Sequence, residues 1–197
     1  MPADVSQPLP LRLAAGLALV ALLASFVGGA AYLAVVLGRA PIAVGALDEA
    51  RRLAARGDLA GAVREYEMHA RLRPFDANGL VELGVLLFRD GRFAEAGAAF
   101  EAALVQRPGD GAVLARLGRV RTAQGRYSEA AALYRSALER SPRDAGLLND
   151  LGKAYALGGQ LDAAIAQFRA ALTIEPLPES EANLERALAD RSRSGPP

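Results

Sequence analysis

Few residues in this chain are of a type and spacing that could do chemistry. There is no cysteine and a single histidine, His69. Thiolate catalysis, disulfides, cysteine–zinc sites and most histidine general-base arrangements are thereby excluded. Gly146 and Gly152-Lys153-Ala154 resemble a phosphate-binding loop, but the gap between the glycines is one residue too long and the Ser/Thr is missing. That segment also reads as helix interior. The acidic residues are scattered at repeat positions expected to face solvent, with no convergent pair for acid–base work. No catalytic residue, cofactor site or metal site is expected, and the chain reads as a non-enzyme without a small-molecule substrate. Its net charge of +1 gives no general attraction to nucleic acid. Binding chemistry remains. Arg116 and Arg119 lie three apart on one predicted helix face, and Lys153 stands 34 residues after Arg119.

The elements that must position these cations announce themselves by period. Gly57, Gly91, Gly125 and Gly159 are 34 residues apart, as are Pro74, Pro108, Pro142 and Pro176. Ala62, Ala96, Ala130 and Ala164 keep the same step, and so do Tyr66, Phe100, Tyr134 and Phe168. Each feature has a task within a helical hairpin. The glycine ends the first helix and turns the chain. The alanine lets the second helix approach its partner, and the aromatic residue on the same face is expected to fill the gap between hairpins. The proline closes the unit because it cannot continue a helix. First helices show apolar residues at helical spacing, as in Leu80, Leu83, Gly84 and Leu87.

These residues resemble the tetratricopeptide repeat family from Pro41 to Pro176. The resemblance implies an all-α, right-handed solenoid at 45–178, in four repeats near 43–76, 77–110, 111–144 and 145–178. A closing helix is expected at 179–191 with Leu184 and Leu188 facing inward, then a disordered tail at 192–197. Repeat one is atypical: Ala46, Glu49 and Ala50 occupy its first-helix signature, and His69 replaces a small residue, read here as a partly buried, satisfied side chain. Arg121 departs from its apolar equivalents Leu53, Leu87 and Tyr155; it is expected to snorkel, the alternatives being a pair with a buried acid or a place on a partner surface.

In this family first helices line a concave groove. By register that groove presents Val85, Phe88, Arg89, Arg116, Arg119, Asn149 and Lys153, with Leu47, Arg51, Val81, Glu82, Ala123, Asp150 and Leu157 beside them. The implied partner is a protein or peptide carrying apolar and acidic groups. Some relatives grip a C-terminal carboxylate with Lys and Asn. The corresponding positions here are Leu47, Arg51, Glu82, Ala112 and Arg116, and only the last keeps a basic group in place.

Ahead of the repeats, Leu13–Gly38 is uncharged for 26 residues, about 39 Å as a helix. This exceeds a bilayer core of about 30 Å, and Arg12 and Arg39 flank it. The run is expected to be a retained transmembrane helix after a tail at 1–12. A cleaved signal peptide ending at Gly28-Gly29-Ala30 is the competing reading. A short linker, 39–44, would hold the solenoid at a bacterial inner membrane, making it a membrane-tethered adaptor or assembly factor for a membrane-associated partner. The alternative is a structural subunit docked through the transmembrane helix. Arg39, Arg51 and Arg52 argue for a cytoplasmic solenoid by the positive-inside rule. The resemblance to anchored envelope proteins favours the periplasm.

Overall fold

A computed structural model describes residues 42, 43 and 45–194. The expected membrane span at 13–38, the N-terminal tail and residues 195–197 lie outside the described residues. The chain divides into two compact units, Met1–Gly45 and Ala46–Pro197. In the first, the described residues 42, 43 and 45 are helical. No helix among the described residues is long and apolar enough to cross a membrane.

The second unit is helical, with no strand among its described residues. It begins with α1 (residues 46–55), α2 (Leu59–Leu72), α3 (Ala77–Arg89) and α4 (Phe93–Gln106). There follow α5 (Gly111–Ala123), α6 (Tyr127–Leu138), α7 (Ala145–Leu157), α8 (Leu161–Ile174) and α9 (Pro178–Ser194). Helices α3 to α9 each pack on their neighbours in sequence, and α3, α5, α7 and α9 also touch in succession. No comparable contact links α4, α6 and α8. The odd helices therefore lie closer together and form the inner side of the stack.

Local signals set the helix ends. Gly57, Gly91, Gly125 and Gly159 have φ between 73° and 82°, a left-handed conformation that glycine adopts without a Cβ penalty. Asp76, Asp110 and Asp144, again 34 residues apart, cap α3, α5 and α7 with their carboxylates. Asp110 accepts from the amides of Ala112 and Val113 at 3.1 and 3.2 Å, and Asp144 from Leu147 at 3.0 Å. Such a cap satisfies amides that the helix leaves unpaired. His69, expected to be partly buried, is only 2% exposed, with Nε2 2.8 Å from the Asp76 carboxylate.

The aromatic residues are placed differently from expectation. Each lies across the glycine of its own hairpin, sixteen residues earlier, rather than only between hairpins. A Cβ on Gly84 would come within 2.7 Å of the Phe100 ring, on Gly118 within 2.8 Å of Tyr134, and on Gly152 within 2.5 Å of Phe168. Ala50 holds this register position in the first repeat and is fully buried. One continuous apolar cluster runs from Ala50 through Tyr66, Leu83 and Phe100 to Val120 on α5.

The closing helix also departs from its pattern. Ser180 and Ala187 are buried and Leu184 is half-buried against the α8 cluster, whereas Leu188 is 38% exposed. The inward stripe thus runs through 180, 184 and 187. The helix continues to Ser194, so residues 192–194 are helical rather than part of a tail.

Candidate protein-binding groove

The exposed face of the odd helices carries the residues singled out in the sequence, but they fall into two groups. Val85, Phe88 and Arg89 on α3 and Arg116 and Arg119 on α5 line one cleft of about 310 Å³, with Phe100 of α4 at its base. Their spacing explains the convergence. Residues 85, 88 and 89 are three and four apart on α3, and 116 and 119 three apart on α5, so each set shares a face. Phe88 packs against Phe93, ring centroids 5.3 Å apart, which fixes the apolar wall. Arg116 donates to the Ala112 carbonyl at 3.2 Å, and neither it nor Arg89 has an acidic partner among the described residues.

Asn149 and Lys153 belong elsewhere. Asn149 is 3% exposed and accepts from Asn183 Nδ2 of α9 at 3.0 Å. Its expected place on an open groove is corrected: α9 covers it. Asp150 is likewise buried, contrary to the expectation that acids face solvent. Its carboxylate receives Arg119 at 2.8 Å and Lys153 at 2.9 Å, and Lys153 also reaches Glu179 at 3.0 Å. Burial would lower the pKa of both cations, but the Asp150 charge and hydrogen bonds outweigh it and raise them. Both stay protonated and are neutralised within the protein. Burial, with the Asp150 charge, also pushes the Tyr134 hydroxyl up to about 12. The continuous basic stripe read from Arg116, Arg119 and Lys153 therefore reduces to Arg116, joined by Arg89.

A second such device joins α1 and α3. Arg51 donates to both Glu82 oxygens, at 3.2 and 2.9 Å, and the Tyr66 hydroxyl donates to the same carboxylate. The Arg51 hydrogen bond dominates and, with that from Tyr66, holds Glu82 below the usual carboxylate range despite partial burial. At Asp76, burial opposes the shift, but hydrogen bonds from His69, Gly79 and Asn78 prevail and lower its pKa. A carboxylate depressed in the folded state stabilises above its unfolded pKa, and that stability is lost as pH falls through the folded value. Melting temperature should therefore drop on acidification from about pH 4.5, the ordinary value for Glu82, downward. Glu82→Gln should flatten that fall. An unchanged acid slope would contradict the assignment.

Arg121 does not snorkel. Its side chain is 12% exposed and lies between α4 and α6, where it donates to Glu101, sits 3.7 Å from Glu129 and bonds Gln124 at 2.9 Å. Small Gly97 beside it leaves room for the guanidinium. The alternative reading of an acid pair for Arg121 holds in part, but Glu101 and Glu129 are half-exposed and neither is identified by the sequence, nor is Glu179 as a partner of Lys153. Each is a long-range pairing without a local signal.

Two sequence-family models described as tetratricopeptide repeat match residues 75–143 and 115–180, together more than half of the chain. The chain belongs to the tetratricopeptide repeat family. Among solved structures, it is similar to MamA residues 41 to the end from Desulfovibrio magneticus RS-1, at 24% identity and a TM-score of 0.73, covering 77% of this chain and 86% of that one. It is similar to YrrB, described as a TPR protein with an unusual peptide-binding site, at 23% identity, TM-score 0.65 and coverage of 76% and 78%. A tetratricopeptide repeat protein from Parabacteroides merdae matches at 20% identity, TM-score 0.68 and coverage of 78% and 63%. At these identities the likeness is one of fold. No curated protein sequence matches the chain.

Proposed function

We propose that this tetratricopeptide repeat chain is a membrane-tethered adaptor or assembly factor that holds a partner protein's segment in the α3–α5 cleft. One observation carries the reading: apolar Val85 and Phe88 are walled by Arg89 and Arg116, cations with no acidic partner among the described residues. An apolar floor supplies affinity through water release, and unpaired guanidinium groups select acids with directional hydrogen bonds. That YrrB is described as peptide-binding is consistent with this use of the fold. The tether is the uncharged run Leu13–Gly38, assigned to a bacterial inner membrane on the resemblance to anchored envelope proteins. The repeats are assigned to the periplasmic side. A reporter enzyme active only outside the cytoplasm, fused after Pro197, should then be active.

Proximity labelling of the full chain in cells, compared with an Arg89→Glu/Arg116→Glu variant, tests the adaptor reading. The variant should keep its helicity, because neither side chain is in the core, and lose its principal labelled partner. For the purified pair, wild-type affinity should fall as salt rises. Partner capture untouched by the double reversal would move binding to another face or to the membrane segment.

A further inference from the structure

The odd helices repeat one set of register positions at each junction, and two junctions use it in the same way. Between α1 and α3, Arg51 meets Glu82, 31 residues on, and Tyr66 donates to that carboxylate. Between α5 and α7, Arg119 meets Asp150, again 31 residues on, with Tyr134 buried in the field of the same acid. Cation, tyrosine and acid recur together. At the intervening junction the same register holds Val85, Phe100 and Arg116. The cation is replaced by an apolar side chain, the tyrosine loses its hydroxyl, and the acid becomes a base. These three residues line the α3–α5 cleft. Arg89 adds a second guanidinium where its register equivalents are Ala55, Ala123 and Leu157. Together the exchanges remove the internal ion pair from this junction and leave Arg116 and Arg89 unneutralised among the described residues, whereas at the α7–α9 junction, which also lacks the acid, Lys153 is taken by Asp150 and Glu179.

We infer that the partner supplies the missing carboxylate. The ligand is a protein segment bearing an acidic group beside an apolar side chain. Its carboxylate sits against Arg116 and Arg89, in the role that Glu82 and Asp150 play at the flanking junctions, and its apolar neighbour lies on Val85 and Phe88. Arg119 takes no direct part, because Asp150 already engages it at 2.8 Å. Loss of the tyrosine hydroxyl fits the same account: with no internal acid at this junction, a buried phenol would lack the acceptor it has in Glu82. This inference rests on the cleft reading above and narrows it to one ligand chemistry.

The test selects a displayed library of random short peptides on the full chain, kept in mild detergent because of its apolar run. Captured peptides are re-screened on Phe88→Ala, on Arg116→Gln and on a Val85→Arg/Arg116→Glu variant that restores the flanking arrangement. Peptides lost on Phe88→Ala should share an Asp, a Glu or a free C-terminus next to an apolar residue. Neutralising that group should weaken binding by about tenfold or more, as expected for a hydrogen bond to a charged group. Asp/Glu→Asn/Gln and C-terminal amidation distinguish the side chain from the chain end. Arg116→Gln should match this loss. The restored variant should fold at least as stably as the parent and bind none of these peptides. Phe88-dependent peptides that carry no carboxylate, or that bind Arg116→Gln and the restored variant undiminished, would overturn the inference and leave the cleft reading standing. Failure to capture any Phe88-dependent peptide would overturn both. Self-association of the chain that the restored variant abolishes, with no peptide captured, would assign the carboxylate to a second copy and overturn the partner reading.

Discussion

Phe100→Ala should destabilise the repeat domain by about 3 to 5 kcal/mol, the range for deleting a buried phenyl ring and leaving a cavity. Phe100 is 1% exposed and sits within the continuous cluster that joins α1 to α5. Repeats contact chiefly their neighbours, so lost protection in hydrogen exchange should centre on α3 to α5. Gly84→Ala tests the same contact from the other side. Its Cβ would meet the ring at 2.7 Å, and overpacking of this kind costs about 1 to 3 kcal/mol. In the Phe100→Ala background the added methyl enters vacated space, so the two changes should cost much less than their sum. Additive losses, or exchange unchanged in α3 to α5, would contradict the packing.

The second large effect is expected at Asp150, whose side chain is 8% exposed with Arg119 and Lys153 upon it. Removing either cation leaves the other and should cost about 1 kcal/mol. Removing both, as Arg119→Ala/Lys153→Ala, leaves a buried carboxylate without a counter-ion and should cost about 3 kcal/mol. Adding Asp150→Asn should recover most of that loss, since a neutral amide needs no cation. Denaturant melts of the four proteins decide the matter. A double variant no worse than either single one would mean that water already solvates Asp150.

The repeat frame was legible because its signals are local. Gly57 and its successors, the prolines and the aromatic positions each act within a few residues of their own backbone, and they recur at one spacing. Asp76, Asp110 and Asp144 carry the same spacing and are local signals of the same kind, each capping amides two or three residues on. Five of the seven groove residues converge on one cleft, as register alone suggested. Asn149 and Lys153 did not follow, because Asn183 and Glu179 of α9 engage them, and α9 docks through Ser180, Leu184 and Ala187. That stripe has too little apolar character to stand out in a charged helix. Arg121 was misjudged for a related reason. Its environment is set by Glu101 on the preceding hairpin and by Glu129, and no helical period links an arginine to an acid twenty residues away.

The aspartate caps have a consequence for how the chain reaches this structure. Each of the hairpins starting at α3, α5 and α7 carries its own start signal, and its helices find their main contacts one or two elements away in the sequence. Relative contact order is therefore low, and such topologies fold on the microsecond-to-millisecond scale. Synthesis on the ribosome is far slower, at about 5 to 20 residues per second. Each hairpin thus has seconds to close on the one before it, and the stack can grow from its N-terminal end as it is made. On that schedule α9 arrives last, and Asn149 leaves water only when it does.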